Sequence, residues 1–257
     1  MRWDPGTYLR HAGLRGRPFF DLVGRIDHPS PRSVVDLGCG TGALTEALAL
    51  RWPDAAVVGV DSSADMIGAA RQRQAPANLT FELQDLREYL PGGDDVVVTN
   101  AALQWIPGHQ ELIAAWAEAL PVGGWLALQV PGNFSAPSHA LMREHAASAR
   151  WAPLLQGVLR HDDAVGEPSD YLGILLSAGL DADVWETTYQ QVLQGEDAVL
   201  DWVRGTGLRP ILDVLSAGEA EEFEAGYGDM LRRAYPRTAI GTVFGFRRIF
   251  AVGHRAA

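Results

Sequence analysis

The first half of the chain alternates between two periodicities. Short apolar runs rich in β-branched residues, at 33–37 (SVVDL), 56–60 (AVVGV), 79–83 (LTFEL), 95–100 (DVVVTN) and 124–130 (GWLALQV), each end where a turn begins. Runs with so little polar alternation predict strands buried on both faces, as in a parallel sheet. Helical periodicity fills the gaps. From Thr41 as N-cap, TGALTEALALRW sets Leu44, Ala47 and Leu48 on one face before Pro53. SADMIGAARQRQ does the same from Ser63 with Met66, Ile67 and Ala70, and HQELIAAWAEAL with Leu112, Ile113, Trp116 and Leu120. Strand and helix alternating through residue 130 predict an α/β fold with a doubly wound, Rossmann-like sheet and right-handed crossovers.

Beyond residue 130 the alternation is interrupted. A crossover helix at 169–180, a strand at 182–193 and a final strand at 242–253, alternating in and out, extend the same core. Two stretches, 131–167 and 194–241, carry helical patterns instead, among them HALMREHAASA and EDAVLDWVRGTGLRPILDVL. Irregular loops of that length are rare in compact domains, so these stretches predict helical insertions that pack together as a cap over the carboxyl edge of the sheet. The expected core is 1–130, 168–193 and 242–257.

Composition narrows the function classes. The 257 residues include one cysteine, Cys39, which excludes an intramolecular disulfide and a cysteine-built zinc site and suits a reducing, cytoplasmic compartment. No apolar run reaches the length of a membrane span, and the opening MRWDPGTYLR lacks the apolar core of a signal peptide. A formal charge of -11 repels nucleic acid and anionic membrane, so an anionic ligand needs a local cationic pocket. All 21 basic residues are arginine, which biased codon usage explains; the alternative reading is that arginine's planar fork suits carboxylates. The seven histidines show no metal-binding spacing, and no G-x-S-x-G elbow is present. Neither a metal nor a serine nucleophile is expected.

The run VVDLGCGTG, residues 34–42, places Gly38, Gly40 and Gly42 directly after the first strand, where a doubly wound sheet binds its ligand. A dinucleotide turn sets phosphates against glycine amides, and the carboxylate of Asp36 just before them would bring like charges together. A ligand with an ammonium end makes the same acid favourable, and S-adenosylmethionine has that end. Asp61 closes the second strand, where a carboxylate can accept from both ribose hydroxyls. Asp85, just past the third strand, can accept from an adenine amine, with Leu86 offering its amide. Cys39 reads as a small side chain inside the turn.

The motifs VVDLGCGTG, GVDSSADMI, LQDL and NAALQWIPGH together resemble class I S-adenosylmethionine-dependent methyltransferases. The resemblance runs nearly end to end through WDPGTYLR, PSHALMRE, VWETTY, DWVRGTGLRP and RRIFAV, and within that family it points to members that esterify a small tricarboxylate. It implies a seven-stranded sheet with the last strand antiparallel, a helical cap, and residues 1–30 as a segment over the site. Carried onto the matching positions, it implies that Ser62, Met66 and Asn100 join Asp36, Gly38, Cys39, Gly40, Asp61, Asp85 and Leu86 at the cofactor, with Arg15 pairing its carboxylate. The acid needs cations, and the candidates are Arg209 and Arg143 in the lid and Arg17 in the N-terminal segment, where Arg15 is the alternative to Arg17. Tyr8, His11, Gln104, Trp105 and Tyr189 would add hydrogen bonds or a wall.

The chemistry agrees with that assignment. A carboxylate is ionised at neutral pH, so its attack on a sulfonium methyl needs alignment and no general base, and no catalytic residue is expected. S-adenosylhomocysteine would be the second product. Two alternatives stay open on the residues alone. One is a methyltransferase of the same fold acting on an acyl-carrier-protein ester or a hydroxyl, with His11 or His109 as base. The other is a cofactor-binding regulator without turnover.

Overall fold

A computed structural model describes residues 16–159, 164–205 and 207–256. A helix at 16–23 (α1) leads into strand β1 (Ser33–Leu37), followed by α2 (Thr45–Arg51), β2 (Ala56–Asp61), α3 (Ala64–Arg71), β3 (Leu79–Leu83), β4 (Val96–Asn100), α4 (His109–Ala119) and β5 (Trp125–Pro131). Then come α5 (Pro137–Ala146), α6 (Ala152–Leu155), α7 (Pro168–Ser177), β6 (Asp181–Leu193), α8 (Ala198–Arg204), α9 (Arg209–Leu212), α10 (Ala217–Ala234) and β7 (Thr242–His254).

One seven-stranded sheet has the order β3-β2-β1-β4-β5-β7-β6. β1 pairs in parallel with both β2 and β4, so the topological switch point lies at the carboxyl end of β1. The last strand runs antiparallel: Gly132 N donates to Arg247 O while Arg255 N donates to Gly124 O, a register that only opposed strands produce. Placement between β5 and β6 explains why the alternation expected for β7 fades. Ile249, Phe250, Ala251 and Val252 are all buried, because a central strand is covered on both faces.

The chain divides into two compact units. The first comprises the chain up to Val130, Gly166–Glu186 and Ile249 onward. Val34, Val35, Val96, Val97 and Val98 form its centre, with Leu48, Ile67, Ile113, Trp116 and Tyr171 packed from helices. Burying each such side chain contributes about 1.5–3 kcal/mol before entropy is counted. Arginine forks tie main-chain carbonyls here: Arg51 reaches Val23 O and Ile26 O past the end of α1, and Arg71 reaches Phe81 O. Part of the arginine bias thus serves the scaffold.

The second unit comprises Pro131–Val165 and Thr187–Arg248, wider at its second segment than the insertion expected at 194–241. Its core joins α5, α8 and α10 through Met142, Trp151, Val203, Phe223, Tyr227 and Leu231. Trp151 meets Phe223 edge-on at 5.4 Å, a geometry that aromatic quadrupoles favour. Tyr227 Oη donates to Ser138 O at 2.7 Å, and Tyr235 Oη accepts from Ser138 N at 3.0 Å, fixing the start of α5. Among the described residues no helix is long and apolar enough to cross a membrane.

Candidate active site

The turn after β1 is left-handed at three glycines, with φ of +82° at Gly38, +56° at Gly40 and +75° at Gly42. At Gly38 a side chain would also collide with Ala102, whose Cβ lies 2.3 Å from the position a Cβ would take. Because Gly42 is left-handed, α2 cannot start at Thr41 and begins at Thr45 instead. That shift has a consequence for Asp36. The hydroxyl of Thr45, fully buried, donates to Asp36 Oδ2 at 2.6 Å, and Asp36 is 3% exposed. Burial pushes its pKa up to about 6, opposed by the Thr45 hydrogen bond and helped by the nearby Asp61 charge.

The amides of this turn are already engaged inside the chain. Gly38 N and Cys39 N both donate to Val60 O, Gly42 N donates to Cys39 O, and Gly40 N donates to Asp61 Oδ2 at 2.9 Å. Asp61 Oδ1 accepts from Ser63 N, whose side chain caps α3 through Met66 N. Ser62 and Met66 are exposed at this corner. Cys39 is half-buried, and burial with the Asp36 and Asp61 charges pushes its thiol well above the ordinary range, which disfavours the thiolate.

Asp85 caps the short turn Leu86–Glu88 by accepting from Arg87 N, and its two oxygens also hold the Arg87 guanidinium. The Arg87 side chain, the first cause, holds the carboxyl down at about 2. Both carboxylate oxygens of Asp85 are thus engaged by Arg87. Leu86 is buried, and its Cδ2 lies 3.8 Å from the Cβ position of Gly38. At the end of β4, Asn100 Oδ1 is buried without a hydrogen-bond partner. The next residue, Ala101, has φ +55°, and Gln104 Nε2 donates to its carbonyl at 2.6 Å. Gln104 is buried, whereas Trp105 is 52% exposed.

Asp36, Gly38, Cys39, Gly40, Asp61, Asp85, Leu86 and Asn100 therefore gather at the ends of the first four strands. Tyr8, His11 and Arg15 lie outside the described residues. Arg17 is exposed on α1, 3.8 Å from Asp21. In the second unit, Arg143 follows His139 by one turn of α5, and its charge, after burial, drives the His139 pKa down to about 4. The Cβ position of Gly207 is 3.2 Å from His139 Nε2, so the segment entering α9 abuts α5. Arg209 opens α9 with its side chain 72% exposed, and Tyr189 is buried. His109 is buried with Nε2 2.9 Å from Tyr171 Oη and Nδ1 3.3 Å from Ile106 O, so both ring nitrogens serve packing. Thr45, Arg87 and Ala101 are neighbours that sequence reasoning missed. Thr45 carries a readable signal, being one polar residue in the apolar stripe of α2.

The turn fits a ligand with a cationic amino acid end. Nothing lies within 4 Å of the Cβ position at Gly40, so that side is open, and the groups around it are carboxylates and an unpartnered amide oxygen. Among the described residues no group of His, Cys, Asp and Glu is placed to hold a metal. The strand order with β7 antiparallel between β5 and β6, and this turn at the switch point, define the class I methyltransferase fold. Residues 34–124 match the family model of the methyltransferase domain. The chain is 52% identical over 262 residues to a trans-aconitate 2-methyltransferase of Streptomyces avermitilis, covering 99% of this chain and 97% of that one. It is 55% identical to the enzyme of that name from Streptomyces coelicolor, covering 98% and 86%. The chain belongs to the trans-aconitate 2-methyltransferase family.

Solved structures share the fold at low identity. The YcgJ protein from Bacillus subtilis superimposes with a TM-score of 0.60 at 13% identity, covering 91% of this chain and 96% of that one. An S-adenosylmethionine-dependent methyltransferase from Mesorhizobium loti gives 0.52 at 17%, covering 94% and 99%.

Proposed function

We infer that this chain methylates a carboxylate of trans-aconitate, taking the methyl group from S-adenosylmethionine and releasing S-adenosylhomocysteine and a monomethyl ester. The observation that carries the reading is the state of the glycine turn. The amides of Gly38, Cys39, Gly40 and Gly42 are engaged by internal acceptors, so the turn does not cradle phosphate. What it presents instead is carboxylate and amide oxygen, the surroundings an ammonium and ribose hydroxyls require.

The donor, when bound, supplies a methyl group on a positively charged sulfur. Asp61, held by Gly40 N and Ser63 N, keeps lone pairs for the ribose; Asp85 serves the adenine amine once Arg87 departs; Asp36 and Asn100 favour the ammonium. A trianion leaves water only against positive charge, and Arg143 and Arg209 are the candidate cations that the family resemblance offers. No residue need remove a proton, and orienting the two reactants can account for roughly 7–11 kcal/mol of the barrier. The engagement of both His109 nitrogens speaks against that residue as the base of a hydroxyl methyltransferase.

Incubation with methyl-labelled S-adenosylmethionine and a panel of di- and tricarboxylates tests the reading. Base-labile label on trans-aconitate, with none on succinate or phenols, is the expected result; donor binding without transfer to any acid would leave only a regulator.

A further inference from the structure

A row of polar side chains crosses the carboxyl end of the sheet on one face. The pairings Asp36↔Gly59, Asp36↔Val98 and Val98↔Ala127 align those residues across the strands. Side chains two residues further along project from the same face, which adds Asp61 on β2 and the pair Asn100↔Gln129 on β4 and β5. From the donor end the row reads Asp61, Gly38, Asn100, Gln129, with strands about 4.8 Å apart.

Gln129 is 1% exposed, and neither Oε1 nor Nε2 has a hydrogen-bond partner. Asn100 Oδ1 and Gln104 Oε1 share that condition. Buried amides are ordinarily satisfied, and three unsatisfied ones in one corner mark a place where polar groups await a ligand. The backbone there is strained as well. Ala101 is the non-glycine residue with positive φ among those described, pinned by its N–H to Gln129 O at 2.9 Å and by its carbonyl to Gln104 Nε2.

We propose that Gln129 recognises the methyl acceptor, with Nε2 donating a hydrogen bond to a carboxylate oxygen of the acid. The inference rests on the methyltransferase reading above and extends it to a residue that reading does not use. Asn100, given above to the amino acid end of the donor, pairs with Gln129 on the next strand, so the Gln129 amide lies beside the bound donor on the side away from the ribose acid Asp61. A neutral amide suits that place. A further acid would repel the incoming trianion, whereas a cation would compete for the lone pairs of the attacking oxygen. Solvent does not reach these amide atoms. The contact is then dry, and an analogue lacking that carboxylate leaves Nε2 unpaired and is rejected.

Gln129→Met keeps the length and removes both polar atoms. The expected result is a KM for trans-aconitate raised about tenfold or more, an unchanged Kd for S-adenosylmethionine, and a Tm equal to or above that of the parent chain. Gln129→Glu should lose still more at neutral pH and recover, relative to the parent chain, as acid protonates the new carboxyl into a donor. An unchanged KM in the Met variant, or equal losses of acid and donor binding, would overturn the proposal. If the Met variant does not fold, Gln129→Asn decides by the same KM-against-Kd comparison. Failure of the parent chain to methylate any acid would instead sink the underlying reading.

Discussion

Gly40 N donates to Asp61 Oδ2 at 2.9 Å, so the glycine turn of β1 holds the acid at the end of β2 in place. The contact links cofactor geometry to backbone geometry. Asp61→Ala frees two amides, Gly40 N and Ser63 N, and removes the acceptor proposed for the ribose. Calorimetry should give an affinity for S-adenosylmethionine weakened about tenfold or more, and a lower Tm, with the KM for the acid at saturating donor nearly unchanged.

The proposed place of Asp36 at the ammonium predicts donor binding that depends on pH. Its pKa is raised to about 6 in the folded chain against 3.8 ordinarily, so the buried charge opposes folding above pH 6. The ligand-free protein therefore gains stability as pH falls from about 6 toward 3.8, by roughly 2–3 kcal/mol at most. Donor binding has the opposite sign, because an ammonium favours the ionised form. Affinity should fall by up to about tenfold per pH unit below 6, with proton release on binding. Asp36→Asn should abolish that pH dependence while weakening binding, as calorimetry in buffers of different ionisation heats would reveal.

Arg87 occupies the carboxylate of Asp85, the acceptor proposed for the adenine amine. Its side chain is 69% exposed, so the contact competes with the donor only modestly. Arg87→Ala should tighten S-adenosylmethionine binding by about two- to fivefold, whereas Asp85→Asn should loosen it. Weaker binding in the Arg87 variant would show that the arginine contacts the donor itself.

Arg143 and Arg209 are the candidate cations for the acid. Arg209→Ala and Arg143→Ala should each raise the KM for trans-aconitate about 10- to 100-fold, the range for hydrogen bonds to charged groups, and leave the donor Kd alone. Steady-state kinetics at saturating donor separates the two effects.

The strands were readable because Val34, Val35 and Val96–Val98 are buried on both sides and leave no polar alternation to confuse with helix. Ser63 signalled the start of α3 as a serine N-cap should. Three things escaped. The start of α2 moved because Gly42 is left-handed, a backbone property that the letters TG do not declare. Asp36 was legible as a strand-end acid, yet its burial against Thr45 depends on how α2 crosses the sheet. Gln129 looked like one more residue of an apolar strand, and only the register beside Asn100 gives it a neighbour of its own kind.

A side-by-side calorimetric titration with S-adenosylmethionine, ATP and NAD reports most directly on whether the acid-lined turn holds a sulfonium amino acid. One molecule of S-adenosylmethionine per chain, displaced by S-adenosylhomocysteine and indifferent to ATP and NAD, is the expected outcome. Binding of a nucleotide phosphate in that cleft, with no heat from the sulfonium compound, would contradict the account.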